Sequence, residues 1–125
     1  MDVETKSALV AIVDDDDSLR DALQGLLKAT GFPAEAFSSA EEYLNSGHQQ
    51  ETACLITDIR MPGMSGLELQ AKLNEERRRF PIIFLTAHGD EKMRMQALRA
   101  GAVEFLAKPF DADALLENVR AALDS

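Results

Sequence analysis

Short apolar runs alternate with amphipathic stretches from one end of the sequence to the other. Residues 8–13 read as a buried strand. Leu19, Ala22, Leu23, Leu26 and Leu27 follow at helical spacing, and Gly31 stops that helix. Residues 34–37 form a short second strand. Ser39 and Glu42 read as a capping box opening a helix that Gly47 ends. Residues 53–57 are a third strand, and residues 61–66, with their Pro and Gly, are a loop. Ser65 and Glu68 open a helix predicted to run to about Arg79, before Phe80-Pro81. Residues 82–85 are a fourth strand, 90–100 a helix closed by Gly101, and 103–106 a fifth strand. Asp111 caps a last helix carrying Leu115, Val119 and Leu123. Five strands alternating with five helices predict an α/β fold: a single doubly wound parallel sheet with helices on both faces. Strands that are apolar throughout, rather than alternating, point the same way. No linker, repeat or low-complexity stretch breaks the pattern, and 125 residues fit one domain, 1–125.

In such sheets, function gathers beyond the carboxyl ends of the strands. Asp14-Asp15 close the first strand, Asp58 the third, Thr86 the fourth and Lys108-Pro109 the fifth. Asp16 and Asp17 suit a helix N-terminus, where Asp caps and complements the dipole. Asp14 and Asp15 come earlier, before any cap is needed. Together with Asp58 they would crowd three carboxylates, which destabilise one another unless compensated. Mg²⁺ is the natural compensator. An EF-hand loop is excluded, because Leu19 stands where its glycine should be and Gly25 where its last Glu should be. Asp58 is followed by Ile59-Arg60-Met61-Pro62, so no helix begins there for it to cap. A carboxylate beside Mg²⁺ is a potential nucleophile toward phosphorus. Lys108 would supply the ammonium that offsets an arriving phosphoryl charge. The proline after it marks a turn position where cis bonds occur. Thr86 offers a hydroxyl. Thr is also an ordinary strand residue, so its weight comes from sharing this edge.

Charge and composition narrow the field. A net charge of −9 argues against direct contact with nucleic acid. The one basic run, Arg77-Arg78-Arg79, reads as a solvated helix end that complements the helix dipole. Cys54 is the single cysteine, so no disulfide framework exists and a buried thiol is expected. No signal-peptide pattern opens the chain, and its longest apolar run is too short for a membrane span, so a cytoplasmic protein is expected. No Walker loop or Gly-x-Gly-x-x-Gly occurs, and Leu67 replaces the second glycine of a nucleophile elbow. The two histidines, His48 and His88, assemble no nucleophile or metal constellation.

Four strings now fall into one pattern: Val13-Asp14-Asp15-Asp16, Thr57-Asp58-Ile59-Arg60-Met61-Pro62, Thr86-Ala87 and Lys108-Pro109-Phe110. In this order and spacing they resemble the receiver domain of two-component response regulators, from about Leu9 to Leu123. Met61-Pro62-Gly63-Met64-Ser65-Gly66 and Thr86-Ala87-His88-Gly89-Asp90 are similar to the FixJ-type transcriptional branch. The resemblance implies a flavodoxin-like fold with strand order 2-1-3-4-5. It implies that Asp58 accepts a phosphoryl group from a sensor histidine kinase. Mg²⁺, or Mn²⁺ as a substitute, would be held by Asp15, Asp58 and the Arg60 backbone carbonyl, with Asp14 acting mainly through water. Lys108 would pair with the phosphoryl oxygens, and Thr86 would swing to hydrogen-bond them. Phe105 would be the switch aromatic that rotates inward as Thr86 moves. Arg60 and His88 would flank the path of attacking water and tune the phosphoryl lifetime. Phosphorylation is a local charge change that biases a two-state element. The readout face would be the helix at 90–100, the fifth strand and the last helix. It would serve a C-terminal DNA-binding output domain or a phosphorylation-induced homodimer.

Two other readings compete with this signalling switch, whose only catalysis would be slow self-dephosphorylation. One is a metal-dependent phosphatase with an aspartyl-phosphate intermediate. It usually needs an acid/base carboxylate two residues after the nucleophile, where Arg60 stands. The other is a receiver-like interaction module that works without phosphate, which the intact set Asp14, Asp15, Asp58, Thr86 and Lys108 opposes.

Overall fold

The structure, a computed structural model, describes residues 9–87 and 91–124. Its elements run β1 (Leu9–Val13), α1 (Asp17–Ala29), β2 (Ala34–Phe37), α2 (Ala40–Ser46), a 3-10 turn (His48–Gln50), β3 (Thr52–Thr57), α3 (Gly66–Glu75), β4 (Ile82–Thr86), α4 (Glu91–Arg99), β5 (Glu104–Ala107) and α5 (Ala112–Asp124). All pairings are parallel, and the strand order is β2-β1-β3-β4-β5. The doubly wound sheet predicted from the alternation is therefore present, in the order that the resemblance implied.

The sheet is apolar on both faces because both are covered. Leu23 and Leu27 of α1 and Leu115, Leu116 and Val119 of α5 bury against Val10, Ile12, Ile56 and Ile83. Tyr43 of α2, Leu69 and Leu73 of α3 and Ala97 of α4 bury against Ala11, Val13, Leu55 and Phe84. Strand residues alternate between these two cores, so both faces are mostly apolar, and the buried Thr52 is satisfied by Tyr43 Oη at 2.8 Å. Ala22, counted in the apolar stripe of α1, is exposed. In α4 only Ala97 is buried, which matches its irregular stripe. Two amides of α3 hold the far end of α4: Gln70 Nε2 donates to Ala97 O and Asn74 Nδ2 to Ala100 O, each at 2.9 Å. Cys54 is buried, and burial pushes its thiol up to about 12. It is an inert core residue.

Three local expectations need correction. Ser39 does cap α2 through Glu42 N, but the Glu42 carboxylate accepts from Ser38 N and Oγ, so no reciprocal box closes there. At α3 the Ser65–Glu68 box is complete. The fifth strand is shifted one residue on, which leaves Val103 51% exposed outside it. Third, α3 ends at Glu75, not near Arg79, so the arginine run lies beyond the helix.

The reason is a C-terminal motif shared by three helices. In α1, Phe32 N donates to Leu27 O and Gly31 N to Lys28 O; in α4, Ala102 N to Ala97 O and Gly101 N to Leu98 O. In α3, Arg78 N donates to Leu73 O and Arg77 N to Asn74 O. This is the Schellman pattern, and its C′ residue must be left-handed. Gly31 and Gly101 meet that need without strain at φ 93° and 110°, whereas Arg77 adopts φ 62°. A left-handed non-glycine residue costs about 1–2 kcal/mol, part of which glycine's larger unfolded entropy offsets. Arg77→Gly is therefore expected to stabilise the protein by about 1 kcal/mol. Urea titration checks this, and an unchanged or lower midpoint would contradict it.

Candidate functional site

Backbone hydrogen bonds carry the sheet one step past its strands. Asp14 N donates to Phe37 O, Asp58 N to Val13 O and Lys108 N to Thr86 O, at 3.0–3.1 Å. This registers Asp14, Asp58, Thr86 and Lys108 along one edge, with Asp58 on the central strand. Asp14 is 2% exposed, Asp58 6% and Thr86 1%. Asp15 is exposed. One carboxylate oxygen from each of Asp14, Asp15 and Asp58 lies within 4.8 Å of the others.

Lys108 reaches from β5 across the end of β4 into this cluster. Its Nζ donates to Asp14 Oδ2 and to Asp58 Oδ2, both at 2.9 Å. Asp14 Oδ1 accepts from Asp16 N, and Asp58 Oδ1 accepts from Ile59 N at 2.6 Å. Burial raises the Asp14 carboxyl above its ordinary value, and the Lys108 hydrogen bond opposes only part of that. For Lys108, burial acts to lower the pKa, but the hydrogen bonds to Asp14 and Asp58 outweigh it and the net shift is upward. The ammonium is thus firmly charged. Three carboxylates against one ammonium leave a surplus of two negative charges. That surplus, on hard oxygen donors, fits a divalent cation such as Mg²⁺.

Three features hold this edge that sequence reasoning missed. Arg20 Nη1 donates to the Asp14 carbonyl at 2.8 Å, while Nη2 pairs with Asp17, so one guanidinium ties down the whole acidic loop. Its only sequence signal was a cation three residues after Asp17. Gly66 opens α3 directly against the β3–α3 turn, its N donating to Ile59 O at 2.8 Å. A Cβ there would lie inside contact distance of the Asp58 carbonyl oxygen, 2.9 Å from the carbonyl carbon and 3.0 Å from Ile59 Cα. In a loop with other glycines nothing marks it as special. A third tie, Glu41 Oε2 accepting from Met64 N at 2.8 Å, fastens the same loop to α2.

The remaining predicted residues fall as follows. Phe105 is half-buried opposite Phe84, with ring centroids 6.2 Å apart, two positions before the Thr86–Ala107 pair. Arg60 is exposed beside the cluster and lines an open pocket of about 520 Å³ with Met61, Pro62, Leu67 and Met93. The Lys108–Pro109 bond is cis. His88 lies outside the described residues. Among the described residues no helix is long and apolar enough to cross a membrane.

Residues 10–120 match the family profile described as the response regulator receiver domain. The response regulator protein TodT of Pseudomonas putida is 44% identical over 118 residues, covering 94% of this chain and 52% of TodT. The transcriptional regulatory protein FixJ of Azorhizobium caulinodans is 41% identical over 118 residues, covering 94% of this chain and 56% of FixJ. The crystal structure of FixJ-N superposes with a TM-score of 0.84 at 36% identity, covering 96% of both chains. The chain spans about half the length of the curated relatives it matches.

Proposed function

The chain belongs to the response regulator receiver family, as a FixJ-type domain of phosphorylation-controlled transcriptional regulators, and we propose that Asp58 is its phosphoryl acceptor. Domains of this family are signalling modules. The observation that carries the assignment is the double contact of Lys108 Nζ with Asp58 and Asp14 inside the three-carboxylate cluster.

The reading is as follows. An Asp58 carboxylate oxygen forms a P–O bond to the phosphorus of a sensor kinase phosphohistidine. The P–N bond breaks, and the imidazole leaves with its electron pair. Lys108 then transfers its pairing from the Asp58 oxygen to the phosphoryl oxygens, where its charge offsets the added negative charge. Asp15, Asp58 and the Arg60 carbonyl would hold Mg²⁺, with Asp14 acting mainly through water and Mn²⁺ a possible substitute. Bound Mg²⁺ supplies the rest of the positive charge that phosphoryl transfer needs. The Thr86 hydroxyl turns to the phosphoryl group, and Phe105 moves inward beside Phe84. The face of α4, β5 and α5 carries the change to a C-terminal DNA-binding output domain or a second copy of the chain. A cytoplasmic location fits these partners. The phosphatase alternative lacks support at this site, because the side chain two residues after Asp58 is the exposed Arg60 and no carboxylate. The phosphate-independent module would leave the surplus negative charge of the three-carboxylate cluster without a role.

Intact mass after incubation with acetyl phosphate tests the reading. One phosphoryl group should be gained by the wild type with Mg²⁺, and none without Mg²⁺ or in Asp58→Asn. Gain by Asp58→Asn would place the acceptor elsewhere. Self-dephosphorylation is the second readout. Arg60, and His88 by the same reasoning, would tune it by flanking the water path. Arg60→Ala should change the decay rate about threefold or more, roughly 0.7 kcal/mol in barrier, while leaving phosphorylation intact. An identical decay would remove Arg60 from that role.

A further inference from the structure

The edge of the sheet opposite Asp58 carries a second unusual surface. Helices antiparallel to the strands put their C-terminal ends there, and so does the Arg77-Arg78-Arg79 run after α3. Two cavities, of about 640 and 480 Å³, share Arg77, Arg78, Arg79, Phe80, Pro81 and Ala122 in their linings. One continues to Gly101 and Val103, and the other to Gln49, Ala53 and Leu123. They adjoin in one groove that sets three arginines beside Phe80, Pro81 and Ala122.

Three observations separate this groove from an ordinary basic surface. Arg77 keeps a left-handed backbone that glycine would adopt without strain, which keeps a third guanidinium on the rim at a cost in stability. Arg78 Nε is buried without a hydrogen bond among the described residues and is ion-paired with Glu76 at 3.9 Å. Gln49 Oε1, in the other half of the groove, is likewise buried without a hydrogen bond, as is Nδ1 of the adjacent His48. Buried polar atoms are normally paired, and unpaired ones cost about 1–3 kcal/mol each. Here they gather in and beside one groove.

We propose that this groove docks an extended acidic peptide segment of a partner protein, its carboxylates on Arg77, Arg78 and Arg79 and an apolar side chain against Phe80 and Val103. Arginine forks suit carboxylates, and the exposed Val103 and neighbouring Phe80 offer apolar contact to a peptide side chain. A net charge of −9 repels any polyanion elsewhere on the surface, so an acidic segment is confined to this strip.

The test is titration of the ¹⁵N-labelled protein with the capped peptide Asp-Glu-Leu-Glu-Asp-Leu-Glu-Asp, followed by amide shifts. The expected result is saturable binding with Kd on the order of 100 μM. The shifts should centre on Arg77–Arg79, Phe80 and Val103, and binding should weaken with salt. Arg78→Gln with Arg79→Gln should lose at least fivefold in affinity. Arg77→Gly, which is expected to fold more stably, should lose at least twofold, so a binding loss there cannot be blamed on unfolding. Both variants should still take a phosphoryl group from acetyl phosphate. No saturation by millimolar peptide, shifts at the Asp58 edge instead, unchanged affinity in the variants, or equal binding of a DNA duplex or inorganic phosphate would each overturn the proposal.

Discussion

Adding one methyl group at Gly66 is expected to lower the melting temperature by about 10 °C or more and to slow phosphoryl acceptance severely. All three atoms that a Cβ would meet are backbone: the Asp58 carbonyl oxygen and carbon, and Ile59 Cα. No side chain can swing aside. Either α3 moves off the sheet, opening the buried contacts of Leu69 and Leu73, or the turn after Asp58 moves. Overpacking of a rigid contact typically costs about 1–3 kcal/mol, and backbone against backbone belongs at or beyond the upper end. The second route also shifts the Asp58 carbonyl, and with it the carboxylate that Ile59 N orients. Thermal melting with a time course of intact mass on acetyl phosphate measures both effects. A Gly66→Ala protein that melts within about 2 °C of wild type would show that α3 accommodates the methyl, against the geometry described.

Lys108→Met should make the apo protein's stability steeply dependent on pH. The ammonium lies between two nearly buried carboxylates, with side-chain exposures of 4% and 8%. Removing one partner of a buried pair costs about 3–5 kcal/mol, because the remaining charges stay buried. The sign follows from linkage. Burial already raises the Asp14 pKa above 3.8. A raised carboxyl contributes stability that is present below the unfolded value and lost as pH rises through the folded value. Without Lys108 the folded pKa rises further, so the loss extends to higher pH. Lys108 itself, raised above 10.5, contributes stability that is complete below that value and lost only as pH rises through the shifted one. Lys108→Met should therefore melt about 10 °C below wild type at pH 7, and the gap should narrow at pH 5. Mg²⁺ should stabilise each protein by about 2.7 kcal/mol at a hundredfold excess over its own Kd, and the gap at pH 7 should narrow as far as the variant, with one more uncompensated negative charge, binds the ion more tightly. An equal gap at both pH values without Mg²⁺ would contradict the linkage.

The architecture was legible along the chain because both of its signals are local. Buried parallel strands need unbroken apolar runs, and covering helices need apolar stripes at helical spacing; neither depends on distant partners. The edge carrying the site was legible for the same reason: a residue directly after a buried strand has to emerge at the strand's carboxyl end. That rule alone sets Asp14, Asp58, Thr86 and Lys108 on one edge. The errors were also local. The arginine run continued the composition of α3, but a Schellman turn that accepts Arg77 in place of glycine stopped the helix at Glu75. The Ser39 box failed because Ser38 offers two donors to Glu42.

The rest depended on contacts between residues far apart in sequence. Lys108 meets Asp14 and Asp58 across separations of 94 and 50 residues, and no spacing rule reports that both contacts form at once. Gly66 is one glycine among several until α3 is laid against the turn after Asp58. The groove at the opposite edge is assembled from the ends of α3, α4 and α5 and from the start of β3. A local pattern specifies each segment's own conformation, since backbone sterics and apolar periodicity act over a few residues. Which side chains then share a hydrogen bond, a clash or a cavity is settled when the layers pack, because only packing fixes the distances between them.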